Sequence, residues 1–200
     1  VLRVAAIAAI AALAACGLTR QSTVKQVFLL DPPAPPPVAT TQPSSLRVAT
    51  ITIAAPFRTR SFIYRTDELR YEPDFYSEFL VPPSVMLSEQ AARALEHAHA
   101  FSSVTLPGAG ATTDWVLEGF VSSLYADARG GQGGAAAEVT VSYFLTKGTF
   151  QALPAWTKEY HRRVPLKSTT PNAYAEALNT AFGEIYAELA TDLASAKLPK

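Results

Sequence analysis

The stretch Asp114-Trp115-Val116-Leu117-Glu118-Gly119-Phe120-Val121-Ser122-Ser123-Leu124-Tyr125 puts Trp115, Leu117, Gly119 and Val121 on one side of an extended chain. A second run, residues 137–146, does the same with Val139, Val141, Tyr143 and Leu145. A third, residues 155–164, sets Trp156, Lys158, Tyr160 and Arg162 against Thr157, Glu159, His161 and Arg163. Alternation with period two marks a half-buried strand. The first two runs are separated by a glycine-rich link (Gly130, Gly131, Gly133, Gly134) suited to a hairpin tip. Together the three predict an antiparallel meander. Thr170-Pro171 follows, a capping residue and a first-turn proline, and opens a helix. Its apolar stripe is Tyr174, Leu178, Ala181, Phe182, Ile185, Leu189 and Leu193.

Toward the N-terminus the same pattern repeats. After Pro82-Pro83, Ser84 is placed to cap a helix carrying Leu87, Ala91, Ala94, Leu95, Ala98 and Phe101 at three- and four-residue spacing. Residues 61–65 and 69–72 read as a hairpin turning at Thr66-Asp67-Glu68, and residues 46–54 and 24–30 as further strands. Residues 31–45 form a proline-rich loop (Pro32, Pro33, Pro35, Pro36, Pro37, Pro43) that is extended or disordered and cannot join a sheet. A domain boundary or a partner-binding ligand are the other readings of that loop. Strands then a helix, twice over, predict an α+β fold: an antiparallel sheet with two helices packed on one face, in a single domain over residues 24–200.

The composition limits the function classes. The chain of 200 residues balances 17 basic against 17 acidic side chains and has no basic run or stripe, so nothing in it attracts nucleic acid. His97 and His99, two apart on a predicted helix, project in different directions and cannot share a metal as an i, i+4 pair would. No Gly-x-Ser-x-Gly nucleophile turn occurs, and the glycines near 108–110 and 131 do not open a helix after a strand as phosphate loops do. The acids Asp67, Glu68, Glu72, Asp74 and Glu78 fit a solvated turn interleaved with aromatics better than a catalytic pair. No catalytic residue, metal ligand or cofactor is assigned.

That acidic stretch is also rich in rings: Phe62, Tyr64, Tyr71, Phe75, Tyr76 and Phe79. Several must be core. Aromatic and arginine side chains are enriched at interface hot spots, so Tyr64, Arg65, Arg70, Tyr71 and Phe79 are the candidate partner-binding residues.

The single cysteine, Cys16, follows the apolar run 4–15 in Leu13-Ala14-Ala15-Cys16, with Arg3 before it. This resembles a bacterial lipoprotein signal ending in a lipobox. The run is too short for a bilayer span, which needs about 20 apolar residues. The expectation is a signal peptide over residues 1–15, cleavage before Cys16, covalent lipid on its thiol, and a tether over residues 16–23. An unmodified cysteine or a non-lipidated signal is the alternative. Loss of Arg3 with the leader leaves a net charge of −1, and no disulfide is available to the mature domain.

Behind this lipobox the chain resembles the ABC-type transport auxiliary lipoprotein family. The likeness is carried by Val27-Phe28-Leu29-Leu30-Asp31 with prolines after it, Ile63-Tyr64-Arg65, Leu69-Arg70-Tyr71 and Pro82-Pro83 before the first helix. It continues through Asp114-Trp115-Val116-Leu117-Glu118-Gly119, Trp156 and Val164-Pro165-Leu166. Where the family often carries a tryptophan before the Pro-Pro pair, Phe79 stands nearest, so the indole donor is lost.

The resemblance implies a non-catalytic, membrane-anchored periplasmic lipoprotein. It would serve a transport system for lipids or other hydrophobic molecules, beside an ABC transporter and an MCE-type membrane-spanning protein. Gly17 after the cysteine favours outer-membrane sorting over the inner membrane if the enterobacterial rule applies. Homo-oligomerisation stays open. Two other readings compete: a lipid-binding shuttle with an internal apolar pocket, which 48% hydrophobic residues permit, and an envelope hydrolase, which rests only on scattered acids and histidines.

Overall fold

The computed structural model describes residues 24–106, 108, 112–130, 134–148 and 153–199. The readings of the signal peptide, Cys16, the tether to residue 23 and the glycines at 110, 131 and 133 lie outside the described residues. In chain order the elements are β1 (Gln26–Phe28), β2 (Gln42–Val48), β3 (Thr52–Ile53), a 3-10 turn (Ala55–Phe57), β4 (Ser61–Arg65), β5 (Tyr71–Phe79) and α1 (Pro83–His97). There follow β6 (Phe101–Thr105), β7 (Trp115–Asp127), β8 (Ala136–Lys147), β9 (Trp156–Pro165) and α2 (Pro171–Ser195).

Strand β7 is the axis of the sheet. One edge pairs antiparallel with β8 from Trp115↔Lys147 to Asp127↔Ala136, and β8 pairs antiparallel with β9 from Ala136↔Pro165 to Leu145↔Trp156. This is the meander read from the sequence. The other edge of β7 is divided among three short strands running parallel to it: β2 opposite Trp115 to Leu117, β3 opposite Phe120 and Val121, and β4 opposite Ala126 and Asp127. Beyond these, β6 runs parallel to β2, β5 antiparallel to β4 and β1 parallel to β5. The α+β class, the two helices and the single domain stand, but the sheet is mixed; antiparallel order is confined to the meander and the β4–β5 hairpin. Parallel neighbours need crossover connections, and α1 between β5 and β6 and the proline segment between β1 and β2 supply two.

Several boundaries also differ from the sequence reading. The strand expected over 46–54 begins at Gln42 and breaks before β3, so Pro43 lies in a strand. It is tolerated because the β2–β6 register shifts between Gln42 and Ser45, a bulge that needs no donor there. Helix α1 is capped by Pro82 with Pro83 in its first turn, and Ser84 lies inside it without a capping hydrogen bond. The helix ends before His99, whose φ of 55° turns the chain, so Phe101 and Ser102-Ser103 fall in β6. In α2 the cap is as expected: the Thr170 hydroxyl accepts from the Ala173 N–H at 3.3 Å.

Both helices cover the face of the sheet that carries Leu46, Leu117, Val139, Val141, Tyr143 and Leu145. From α1 come Leu87, Ala91 and Leu95, and from α2 Leu178, Phe182, Ile185, Tyr186 and Leu189. The Tyr186 hydroxyl donates to Leu87 O at 3.3 Å and ties the helices together. A shift in β7 between Val121 and Ser123 moves the buried position on to Leu124.

The proline-rich segment is an ordered strap lying across both helices. Asp31 N–H donates to Asn179 Oδ1 (2.8 Å), Gln90 Nε2 to Leu30 O (2.5 Å) and Val38 N–H to Ala98 O (2.9 Å). His97 Nδ1 lies 3.0 Å from Pro35 O. Extended and proline-rich as expected, the segment is folded onto its own domain.

Candidate functional site

The β4–β5 hairpin sits at one end of the sheet. Register aligns Tyr71, Arg65, Asp127, Ala136 and Pro165 in a single row across five strands, next to the turns that link them. At the hairpin tip Leu69 is 95% exposed. The Arg65 guanidinium curls back over the turn, donating from Nη2 to Glu68 O (2.6 Å) and from Nε to Asp67 O (3.3 Å). It lies 5.6 Å from the centroid of the Tyr71 ring, within cation–π range. Arg70 Nε donates to Thr66 Oγ1 at 3.0 Å and pairs with Glu72 at 2.8 Å. Tyr71 rests on Tyr125 (5.3 Å) and Phe57 (6.0 Å) with its outer edge in solvent. Arg65, Arg70 and Tyr71 therefore form one surface, held by backbone carbonyls and a small aromatic cluster.

Tyr64 stands beneath that surface. Half-buried, it packs against Tyr174 with centroids 5.9 Å apart; burial first, and then the Asp74 carboxylate, push its phenol above the ordinary tyrosine range. Phe79 is a correction: it is 2% exposed and packs edge-on against Phe62 at 4.8 Å, so it belongs to the core. Inward-facing positions of β5 alternate, and Ser77 and Phe79 share the buried side.

Two aromatics outside the predicted set do reach the surface. Asp74 Oδ1 accepts from Tyr76 N–H (2.7 Å) and Ser77 N–H (3.0 Å), an Asx turn in the middle of β5. The β4–β5 register jumps there from Ile63↔Pro73 to Ser61↔Glu78. The bulge throws Phe75 (81% exposed) and Tyr76 (45% exposed) outward, their rings 5.1 Å apart and nearly perpendicular. The sequence signal was Asp74 two residues before Tyr76, a turn-forming acid inside a run otherwise favouring a strand.

Asp127 in the row and Glu138 beside it are buried carboxylates. Arg129 binds Asp127 through Nε and Nη2, each at 2.9 Å, and Arg163 bridges Asp127 and Glu138. The Arg129 hydrogen bond, helped by Arg163, holds the Asp127 carboxyl far below the usual carboxylate range. These groups brace the end of the sheet. The three histidines stand apart: His97 on Pro35, His99 in the turn after α1, and His161 with Nε2 2.9 Å from Glu138. Among the described residues, no group of three or more His, Cys, Asp or Glu side chains is placed to hold a metal, and no helix is long and apolar enough to cross a membrane. A cleft of about 570 Å³ lined by Gln42, Asp114, Trp115, Lys147 and Pro199 opens at the end of the sheet opposite the hairpin.

Similar folds are known. A crystal structure of the protein XCC0632 from Xanthomonas campestris superposes with a TM-score of 0.73 at 20% identity, covering 83% of this chain and 93% of that one. An uncharacterized protein of known structure gives 0.66 at 13% identity, covering 85% of this chain and 99% of its own. The hypothetical protein CT253 from Chlamydia trachomatis gives 0.50 at 9% identity over 78% of this chain and 99% of its own. These likenesses concern the fold. None of the curated proteins compared matches the chain. The family model described as the ABC-type transport auxiliary lipoprotein component matches residues 28–190, from the first strand through most of the last helix. With the strap, the first helix, nearly all of the mixed sheet and most of the second helix inside that match, the chain belongs to the ABC-type transport auxiliary lipoprotein family.

Proposed function

We propose that the protein is a non-catalytic docking component of an ABC transport system, anchored in the cell envelope by lipid on Cys16 and facing the periplasm. Gly17 favours the outer membrane as the site of the anchor. The partner in this reading is an MCE-type membrane-spanning protein that passes lipids or other hydrophobic molecules between membranes. That partnership rests on the sequence resemblance. The observation that carries the docking role is the hairpin surface, where fully exposed Leu69 and half-exposed Tyr71 are framed by Arg65 and Arg70. Arg65 and Tyr71 on paired strands, and Arg70 fixed by Thr66 and Glu72 in the turn, lose little freedom on binding, which suits them to hot spots. The lipid-shuttle reading draws no support from the core, because Leu87, Leu95, Tyr143, Phe182 and Tyr186 fill the space between helices and sheet.

Co-purification of the lipidated protein with the MCE-type protein of its host tests this. Arg65→Ala with Arg70→Ala is expected to weaken the association by about 1–3 kcal/mol per hot-spot side chain, leaving circular dichroism and the unfolding midpoint close to wild type. Undiminished association in the folded double variant would take the hairpin out of the interface.

A further inference from the structure

The point at which the tether enters the fold lies beside the most exposed aromatic pair among the described residues. Strand β1 runs parallel to β5, with Gln26 opposite Ser77, Val27 opposite Glu78 and Phe28 opposite Phe79. Followed backwards from Gln26, the chain therefore heads along β5 toward Tyr76 and Phe75. Val24, the first described residue, is 76% exposed and Phe75 81%. Val27 and Tyr76 on the same two strands, and Leu29 and Leu80 directly after them, each leave about half of their surface in solvent. Lys25 stands among them, paired with Glu78 at 2.8 Å yet still 54% exposed.

We infer that this β1–β5 edge is a membrane-contact face, seating Phe75, Tyr76, Val24 and Val27 in the headgroup layer of the bilayer that holds the anchor. The inference rests on the reading of Cys16 as the lipidated residue. The occupant follows from chain length. Only residues 17–23 lie between Cys16 and Val24, a reach of at most about 25–30 Å when fully extended. A patch at the root of so short a leash is the part of the domain held nearest to the anchor.

The chemistry of the patch agrees. Apolar rings carrying a hydroxyl, as Tyr76 does, favour the boundary between headgroups and acyl chains. Lysine lays its methylenes along apolar surface while its ammonium stays among polar groups. Phe75 stands on a bulge held by the two hydrogen bonds to Asp74, so it is presented without the cost of ordering a loop. The arrangement also sets the orientation of the whole domain. The row through Arg65, Asp127 and Pro165 faces the membrane side, and the cleft near Trp115 and Lys147 faces away.

The test uses the full lipidated protein in vesicles of phosphatidylethanolamine and phosphatidylglycerol with brominated acyl chains, which quench tryptophan on contact. Two variants are compared after subtraction of the signal from Trp115 and Trp156: Phe75→Trp, and Leu153→Trp, which lies 90% exposed next to β9 at the other end of the sheet. The mass of the same sample reads the lipid on Cys16. The expected result is a blue shift and loss of emission at position 75, with an unshifted, unquenched signal at position 153. Lipid on Cys16 with unquenched Phe75→Trp would overturn this inference alone and leave the patch to a protein partner. Equal quenching at both positions would also overturn it, since the domain would then have no preferred face. Absence of lipid from Cys16 would sink the anchoring reading and this one with it.

Discussion

At the scale of single residues, Gly183 shows how one position couples distant parts of the chain. It lies inside α2, where alanine ordinarily stabilises by up to about 1 kcal/mol. Here a Cβ would stand 2.7 Å and 2.8 Å from Pro33 Cγ and Cδ in the strap. Proline cannot swing its ring aside as a flexible side chain would, and the strap is tied on either side of it by Asp31 to Asn179 and at Pro35 to His97. Overpacking of this kind costs about 1–3 kcal/mol. Gly183→Ala is therefore expected to lower the urea midpoint, by a net of about 1 kcal/mol in stability; a raised midpoint would show that the strap yields freely. No reading of 183 alone could find this. Helical periodicity places the glycine on an apolar face, but the ring it meets lies 150 residues away in sequence.

At the scale of elements, hydrogen bonds at their ends explain which boundaries the sequence betrayed. The start of α2 was legible because Thr170 and Pro171 act locally on the first turn. Its end was not, because its carbonyls are satisfied from far away: Gln42 Nε2 lies 3.0 Å from Leu193 O, 3.1 Å from Ala194 O and 2.9 Å from Ala196 O. Gln42→Leu keeps the side-chain bulk and removes that cap. It is expected to cost about 1–2 kcal/mol and to speed amide exchange in the last turn of α2, while the first turn keeps its protection. Unchanged exchange there would mean that water replaces the glutamine without loss. The same distinction separates the site residues. The hairpin bearing Arg65, Arg70 and Tyr71 is local in sequence and legible as a hairpin, although its second strand starts at Tyr71 rather than Leu69 and runs on to Phe79; Phe75 and Tyr76 escaped because a bulge changed the face they occupy.

At the scale of the whole molecule, charge is arranged as braces around the sheet. Lys158 pairs with Glu188 and Asp192, and Arg162 with Glu184 and Glu188, fastening β9 to α2. Arg129 and Arg163 clamp Asp127 at the other side of the meander. Asp127 is held below its usual range chiefly by Arg129, and Glu188 chiefly by Lys158. A carboxyl whose pKa is lower in the folded than in the unfolded state stabilises the fold at pH values above the unfolded pKa of about 4, and that contribution fades as pH falls through the folded value. The urea midpoint should thus hold near neutrality and drop below about pH 4, and Asp127→Asn should lower the neutral midpoint and flatten the acid limb; an acid limb as steep as wild type would exclude Asp127 as its source. Local periodicity, capping chemistry and ordered short motifs were enough to read the meander, the hairpin, both amphipathic helices and the family from the chain alone. Three-dimensional packing was needed to see that the sheet is mixed, that the proline segment straps the helices, that Phe79 is core, and that Phe75 and Tyr76 stand exposed on the strand that pairs with β1. Those facts depend on which distant segments meet, and a chain's local pattern states which face is buried without stating against what.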